Sequence, residues 1–166
     1  MRSFASLNQF SEMSVCSWNE SVERALALLG RELSTRAIIL KKNLSADLPG
    51  MYANPLRLDQ VLVNLLMNAI QALDTSANDV KIINLTTSYT AKYVILEIAD
   101  NAGGIDASIH DDIFEPFYSN KQSSHGMGLG LSVAASIMTS LEGQVTYYNN
   151  DQGGATFRLE LPIMRE

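Results

Sequence analysis

The spacing of apolar side chains predicts three long helices. In each segment these side chains recur every three or four residues, which is the period of a helix with one buried face. The predicted helices cover residues 19–34, 55–72 and 129–141. Asn19 is a residue type that caps the start of the first helix, and Pro55 suits the first turn of the second.

A β-branched run and four segments of alternating or short apolar pattern predict five strands. The first begins at the run that starts with Ala37, and the others are two pairs, 80–88 with 93–99 and 143–149 with 154–161. Such alternation is typical of a sheet with one buried face. Together the elements predict an α/β sandwich, in which a mixed, mostly antiparallel sheet of about five strands carries the three helices on one face.

Two segments fall outside this pattern. Residues 100–128 contain no long periodic segment, so we predict loops around a short helix near 107–113. Ordered loops of this length usually carry function. Residues 1–14 begin abruptly with an apolar stripe at helical spacing. The residues of that stripe are Phe4, Leu7, Phe10 and Met13. We therefore predict the end of a preceding helix in residues 1–14 and one domain over 15–166.

Composition and charge exclude several classes of protein. The 166 residues suit one core, and the net charge of −6 gives no electrostatic footprint for nucleic acid. No apolar run reaches the roughly 18 to 20 residues of a membrane span, so we expect no membrane contact. The single Cys16 cannot form an internal disulfide, and no Cys/His cluster has the spacing of a zinc site.

The 55–72 helix carries an unusual stripe of amides on an otherwise apolar rod. Four amide side chains project within about 80° of each other. They are Gln60, Asn64, Asn68 and Gln71. Bonding to the backbone of a neighbouring loop would satisfy them. The alternative is functional, because amide oxygens suit Mg²⁺, a cation that also takes phosphate oxygens from a nucleotide.

Two glycine-containing segments offer further candidate chemistry. In 100–105 a carboxylate, Asp100, stands at a strand end before a glycine turn, where it could accept a hydrogen bond from an exocyclic amine. In 125–131 a glycine-rich loop enters a helix, and the free N–H groups there favour anions. Taken alone, an ordinary Asx turn and a flexible helix entry explain these segments equally well.

In this order the motifs closely resemble the ATP-binding catalytic domain of two-component sensor histidine kinases. That family belongs to the GHKL superfamily, whose fold is the Bergerat ATP-binding fold. The resemblance covers about residues 15–163, in which 58–72 looks like the N box and 100–105 the G1 box. Residues 113–118 look like the F box and 126–131 the G2 box.

The resemblance implies a role for each matching residue. Asn68 would bind Mg²⁺, and Asn64 would support the metal and the phosphates, so both would be catalytic. Asp100 would receive the adenine amine, Gly104 would line the base, and Thr156 would assist at the adenine through water. The other residues implied to contact the nucleotide are Ile105, Phe117, Lys121, Gly126, Met127, Gly128, Leu129 and Gly130.

Three departures from the family pattern matter. Ala102 stands where the G1 box usually has its first glycine, although a methyl group is small enough to tolerate. Asn64 stands where the hydrolases of the superfamily have a water-activating Glu, which favours transfer of phosphate over hydrolysis. Neither His110 nor His125 has the context of a phosphoacceptor, so the acceptor helix is missing from this sequence.

The resemblance implies that the chain binds ATP and Mg²⁺ and donates the γ-phosphoryl group to a histidine on a dimerisation domain, with a response regulator downstream. Residues 1–14 would be the tail of that domain's second helix, and 118–127 a mobile ATP lid. A cytoplasmic location is implied, whether or not the parent protein is anchored in the inner membrane. The alternatives are an anti-sigma-type serine kinase and a non-catalytic nucleotide-sensing module.

Overall fold

The computed structural model describes residues 12–103 and 127–164, and for 127–130 it describes the backbone. It confirms the three predicted helices, each within two residues of the predicted bounds. They are α1 (Trp18–Thr35), α2 (Pro55–Asp74) and α3 (Met127–Ser140). No helix within the described ranges is both long enough and apolar enough to cross a bilayer.

The described strands form two sheets. They are β1 (Ser14–Cys16), β2 (Ile39–Asn43), β3 (Met51–Ala53), β4 (Ile82–Tyr89), β5 (Tyr93–Asp100), β6 (Gln144–Asn149) and β7 (Ala155–Pro162). The main sheet has the order β2-β4-β5-β7-β6, with β2 parallel to β4 and the other pairs antiparallel. This confirms the predicted mixed, five-stranded sheet. The short antiparallel pair of β1 and β3 was not predicted.

The helices cover one face of the main sheet, as predicted for an α/β sandwich. Helix α2 lies between α1 and α3 and contacts both, and each of the three helices contacts the sheet. Residues paired across β4, β5 and β7, such as Leu85, Ile98 and Phe157, bury their side chains in this core. The opposite face is polar, and there Arg158 pairs with Glu97 at 3.5 Å.

Helix α1 begins earlier than the capping prediction placed it. The cap is Ser17, whose Oγ accepts a hydrogen bond from the backbone N–H of Asn19 at 3.2 Å. The prediction that Asn19 is the cap is wrong, because the helix already includes Trp18 and its N-cap is Ser17. The Asn19 side chain instead donates to the Ser45 carbonyl at 2.8 Å and accepts from Thr87 at 3.0 Å.

The start of α2 is fixed by two local devices. Asn54 caps it, since its Oδ1 accepts hydrogen bonds from the N–H groups of Leu56 and Arg57 at 2.9 and 3.2 Å. One turn further on, Arg24 of α1 forms a bidentate ion pair with Asp59. Its Nε lies 2.9 Å from Oδ2 and its Nη2 lies 3.1 Å from Oδ1. These contacts fix where α2 begins and join its first turns to α1.

Two predictions concern residues outside the described ranges. The short helix near 107–113 lies there, as does most of the predicted helix in residues 1–14. Ser14, at the end of that segment, belongs to β1, where it pairs with Ala53. The division into 1–14 and 15–166 therefore stays a prediction. Ser14 itself is part of the folded domain, because it pairs with Ala53.

Candidate functional site

Of the four amides in the stripe on α2, Asn68 is the most buried, and Gln71 after it is half-buried. Gln60 is exposed and Asn64 is half-buried, whereas the Asn68 residue is only 5% exposed. Asn64 and Asn68 are four residues apart, so their side chains share one face of the helix. Among the described residues, Nδ2 of Asn68 has no hydrogen-bond partner. The structure therefore places an unsatisfied buried amide where the sequence predicted a ligand.

An unsatisfied buried amide is costly to the fold. A buried polar group without a partner costs about 1 to 3 kcal/mol of desolvation free energy. Rotation of the Asn68 amide by half a turn exchanges its nitrogen and oxygen positions, so either atom can face the same point. With the oxygen facing that point, the side chain offers a neutral, hard donor of the kind that Mg²⁺ accepts.

Asp100 lies at the carboxyl end of β5, and its residue is 7% exposed. Its Oδ1 accepts hydrogen bonds from the N–H groups of Ala102 at 2.9 Å and Ala155 at 3.2 Å. Both bonds end on Oδ1, which leaves Oδ2 as the oxygen available to a donor on a ligand. Burial raises the pKa of the Asp100 carboxyl, and the two N–H groups oppose that rise.

The glycine turn after Asp100 is held against the turn between β6 and β7. Gly103 has a φ of +111°, in the left-handed region that glycine adopts without strain. Its N–H donates to the Gly153 carbonyl at 2.6 Å. A Cβ on Gly154 would overlap the backbone of Asp100 and Asn101. The two turns touch directly, so the backbone of 153–155 helps to position the Asp100 carboxylate.

This close approach gives a testable prediction for Gly154. We expect Gly154→Ala to lower the free energy of unfolding by about 1 to 3 kcal/mol, because the new methyl group has to displace backbone. Chemical denaturation followed by circular dichroism measures the change. The control is Gly30→Ala on α1, where a Cβ meets nothing within 4 Å, and which should raise stability by up to about 1 kcal/mol. Equal stability of the two variants would contradict the prediction.

Sequence reasoning missed Asn150, which organises the turn between β6 and β7. Its Nδ2 donates to the Asp100 carbonyl at 3.1 Å and to Thr156 Oγ1 at 3.0 Å. Its Oδ1 accepts from the N–H groups of Gln152 and Gly154, both at 3.0 Å. An Asn before a pair of glycines is a signal for an Asx turn, but it does not reveal the contact with Asp100.

The expected role of Thr156 is corrected by the strand register. Thr156 pairs with Ala99, and successive side chains along β5 alternate between the two faces of the sheet, so Thr156 and Asp100 project from opposite faces. Thr156 is 2% exposed and lines a cavity of about 380 Å³ on the polar face. Ala155 is the residue that reaches Asp100, through its backbone N–H. Thr156 is therefore not placed to act at a base held by Asp100.

The glycine-rich loop feeds α3 two residues earlier than predicted. Helix α3 begins at Met127, so Gly128, Leu129 and Gly130 belong to its first turn. The first N–H groups of a helix have no partner within the helix and attract anions. The other predicted nucleotide contacts lie outside the described ranges, as does most of the predicted lid. They are Gly104, Ile105, Phe117, Lys121 and Gly126.

Comparison with known proteins finds related sequences over most of the chain. Residues 53–165 match the family model of the histidine kinase-, DNA gyrase B- and HSP90-like ATPases, which is more than half of the chain. The sensor histidine kinase ZraS of Escherichia coli K12 is 34% identical over 145 residues, which cover 87% of this chain and 30% of ZraS. The chain thus spans less than a third of the length of that relative.

Solved structures share the fold. The nucleotide-free catalytic domain of the histidine kinase ThkA superposes with a TM-score of 0.80 at 24% identity, covering 93% of this chain and 99% of that one. ThkA in complex with the response regulator protein TrrA superposes with a TM-score of 0.76 at 22% identity, covering 92% of this chain and 42% of that one. At these identities the likeness establishes the fold alone.

Proposed function

This chain belongs to the family of histidine kinase-, DNA gyrase B- and HSP90-like ATPases, and we propose that it is the domain of a sensor histidine kinase that binds ATP and donates its γ-phosphoryl group to a histidine. The acceptor histidine would lie on a dimerisation domain of the parent protein. We place the present domain in the cytoplasm. A response regulator would then receive the phosphoryl group.

The observation that carries the proposal is the buried carboxylate of Asp100. Oδ1 is already occupied by the N–H groups of Ala102 and Ala155, so Oδ2 can accept a hydrogen bond from the exocyclic amine of adenine. A carboxylate accepts hydrogen bonds and cannot donate them when ionised, which selects an amino group over a carbonyl oxygen at that position. This favours adenine over guanine or hypoxanthine.

The residues on α2 fit a magnesium ion bound together with nucleotide phosphates. The unsatisfied amide of Asn68 would supply one oxygen ligand, and Asn64, one turn earlier, would support the metal and the phosphates. Mg²⁺ in nucleotide sites takes only one or two protein ligands and completes its shell with phosphates and water. When bound, the ion would neutralise charge on the phosphates of the nucleotide.

The remaining groups would position the phosphates and disfavour hydrolysis. The first turn of α3, from Met127 to Gly130, offers free backbone N–H groups to anionic oxygens. Asn64 carries no group able to take a proton from water, whereas a Glu at that position could act as a general base. We therefore expect transfer to an acceptor to be faster than hydrolysis. Positioning would supply most of the rate enhancement.

Calorimetric titration with ADP tests nucleotide binding and its dependence on the cation. We expect ADP to bind in the presence of Mg²⁺ and to bind at least about tenfold more weakly in excess EDTA, because a chain with a net charge of −6 needs the cation to neutralise the phosphates. Equal affinity in the two buffers would contradict the assignment of the metal site. Absence of binding in both would overturn the proposed function.

A transfer assay separates the kinase from its rivals. The isolated chain is expected to bind ATP without phosphorylating itself, and to phosphorylate a separately made helical hairpin of its parent that carries the acceptor histidine. Transfer is expected to be slow, since the covalent tether is absent. His110→Ala and His125→Ala should transfer as the wild type does. Phosphate on serine of an added substrate would favour the anti-sigma type, and binding without transfer to any acceptor would favour a sensor.

A further inference from the structure

We propose that Asn150 is a positioning residue that sets the orientation of Asp100 and thereby the preference of the site for an adenine base. The inference rests on the proposed nucleotide site and goes beyond it, because Asn150 lies on a turn outside the nucleotide-binding motifs of the sequence. It concerns selectivity between bases, which the phosphate and metal contacts do not determine.

The Asn150 side chain uses its full hydrogen-bonding capacity within the protein. An amide has two N–H donors and one oxygen that accepts two bonds. The donors go to the Asp100 carbonyl and Thr156 Oγ1, and the acceptor receives the N–H groups of Gln152 and Gly154. A side chain held at both ends in this way has one orientation. It therefore acts as a rigid spacer between β5 and the turn.

Through this turn, Asn150 reaches both the backbone and the carboxylate of Asp100. The backbone is held directly, by the bond from Nδ2 to the Asp100 carbonyl at 3.1 Å. The carboxylate is held indirectly, because Asn150 shapes the turn that carries the Ala155 N–H to Oδ1 at 3.2 Å. The same turn presents the Gly153 carbonyl to the Gly103 N–H. Three hydrogen bonds thus join the turn to residues 100–103.

The contact with Thr156 strengthens the case for a positioning role. Thr156 is buried on the polar face of the sheet, and Asp100 projects from the other face. Asn150 donates to the backbone carbonyl of Asp100 and to the hydroxyl of Thr156, so it joins the end of β5 to the start of β7. Loss of its N–H donors would leave the Asp100 carbonyl and the Thr156 hydroxyl without this partner. The strand end could then shift relative to the turn, and the direction of the Asp100 carboxylate would change with it.

The test compares two nucleotides that differ at the group facing Asp100. Inosine diphosphate carries a carbonyl oxygen where ADP carries the exocyclic amine, while the ribose and phosphates are the same. Asn150→Asp keeps the oxygen that receives the turn N–H groups but removes both donors. We expect this variant to bind ADP about tenfold more weakly, and inosine diphosphate within about twofold of wild type, in calorimetric titrations with Mg²⁺.

A second variant and a matched control keep the result interpretable. Asn150→Ala removes the donors without adding a charge, and it is measured if Asn150→Asp does not fold by circular dichroism. Gln152→Ala changes the same turn at an exposed side chain, and only its backbone N–H contacts Asn150, so wild-type affinities are expected. In an Asp100→Asn background the loss of ADP affinity caused by the Asn150 substitution should shrink to about twofold or less.

The outcomes separate this inference from the proposed function. Equal losses of affinity for ADP and inosine diphosphate, or losses that simply multiply in the double variant, would assign Asn150 a structural role and overturn the inference alone. If wild-type protein binds neither nucleotide, the proposed function fails and the inference fails with it. A selective loss for ADP that vanishes in the Asp100→Asn background would support it.

Discussion

The Asn68→Leu protein is expected to be more stable than wild type and to lose magnesium-dependent nucleotide binding. The Leu side chain has the same branched arrangement of four heavy atoms as Asn and needs no hydrogen bond, whereas the buried Nδ2 of Asn68 has no partner in the described part of the chain. Replacing an unsatisfied buried amide by an apolar group of similar shape should raise the free energy of unfolding by about 1 kcal/mol. Denaturant titration of the nucleotide-free proteins measures this change.

The same substitution removes the proposed oxygen ligand for Mg²⁺. We expect the affinity for ADP with Mg²⁺ to fall by at least about tenfold, to the level that wild type shows in EDTA, and phosphotransfer to the acceptor hairpin to cease. Gln60→Ala is the matched control, since it removes an exposed amide from the same helix. Its binding and transfer should equal those of wild type.

A variant that is more stable but inactive would show that the amide is retained for function at the expense of the fold. Asn68→Leu that keeps magnesium-dependent binding within about twofold would remove Asn68 from the metal site. A variant that is less stable than wild type would contradict the expected gain in unfolding free energy, whether the loss comes from a partner of Nδ2 or from the larger volume of Leu.

Strong periodicity explains why most of the fold could be predicted from sequence. The apolar stripes of α1, α2 and α3 extend over several turns, and their bounds are correct within two residues. The strands β4, β5 and β7 are eight residues long, and buried and less buried residues alternate over much of each strand. By contrast, β1 and β3 have three residues each, which is too short for alternation to be recognised. The pairing of these two strands depends on contacts between distant parts of the chain.

The residue types of the site were predictable, but the direction of a side chain at the end of a strand was not. Thr156 and Ala155 are neighbours in sequence, and a shift of one residue moves a side chain to the other face of the sheet. The resemblance pointed to Thr156, whereas the register with Ala99 turns it away from Asp100. The contact between Asn150 and Asp100 spans 50 positions, so no local pattern could reveal it.

The second large effect is expected for Asp100→Asn, which should fold as well as wild type and lose most of its affinity for ADP. Asn can keep its oxygen at the position that receives the N–H groups of Ala102 and Ala155. Its amide nitrogen then occupies the place of Oδ2 and faces the exocyclic amine of adenine. Two opposed donors should cost about 1 to 3 kcal/mol, which corresponds to about a 5- to 150-fold loss of affinity in calorimetric titration.

The pH dependence of stability distinguishes this loss from a damaged fold. Burial raises the pKa of the Asp100 carboxyl in the folded chain, so protonation of this group stabilises the fold. That contribution is fully present below the pKa of the unfolded chain and is lost as the pH rises through the raised folded pKa. Asp100→Asn is permanently neutral, and its advantage in unfolding free energy over wild type should therefore be largest at neutral pH and shrink on acidification. Denaturant titrations of both proteins from acidic to neutral pH measure the difference in unfolding free energy. An Asp100→Asn protein that is less stable than wild type at neutral pH would contradict the burial of an ionised carboxylate. Unchanged ADP affinity in the folded variant would remove Asp100 from the base site.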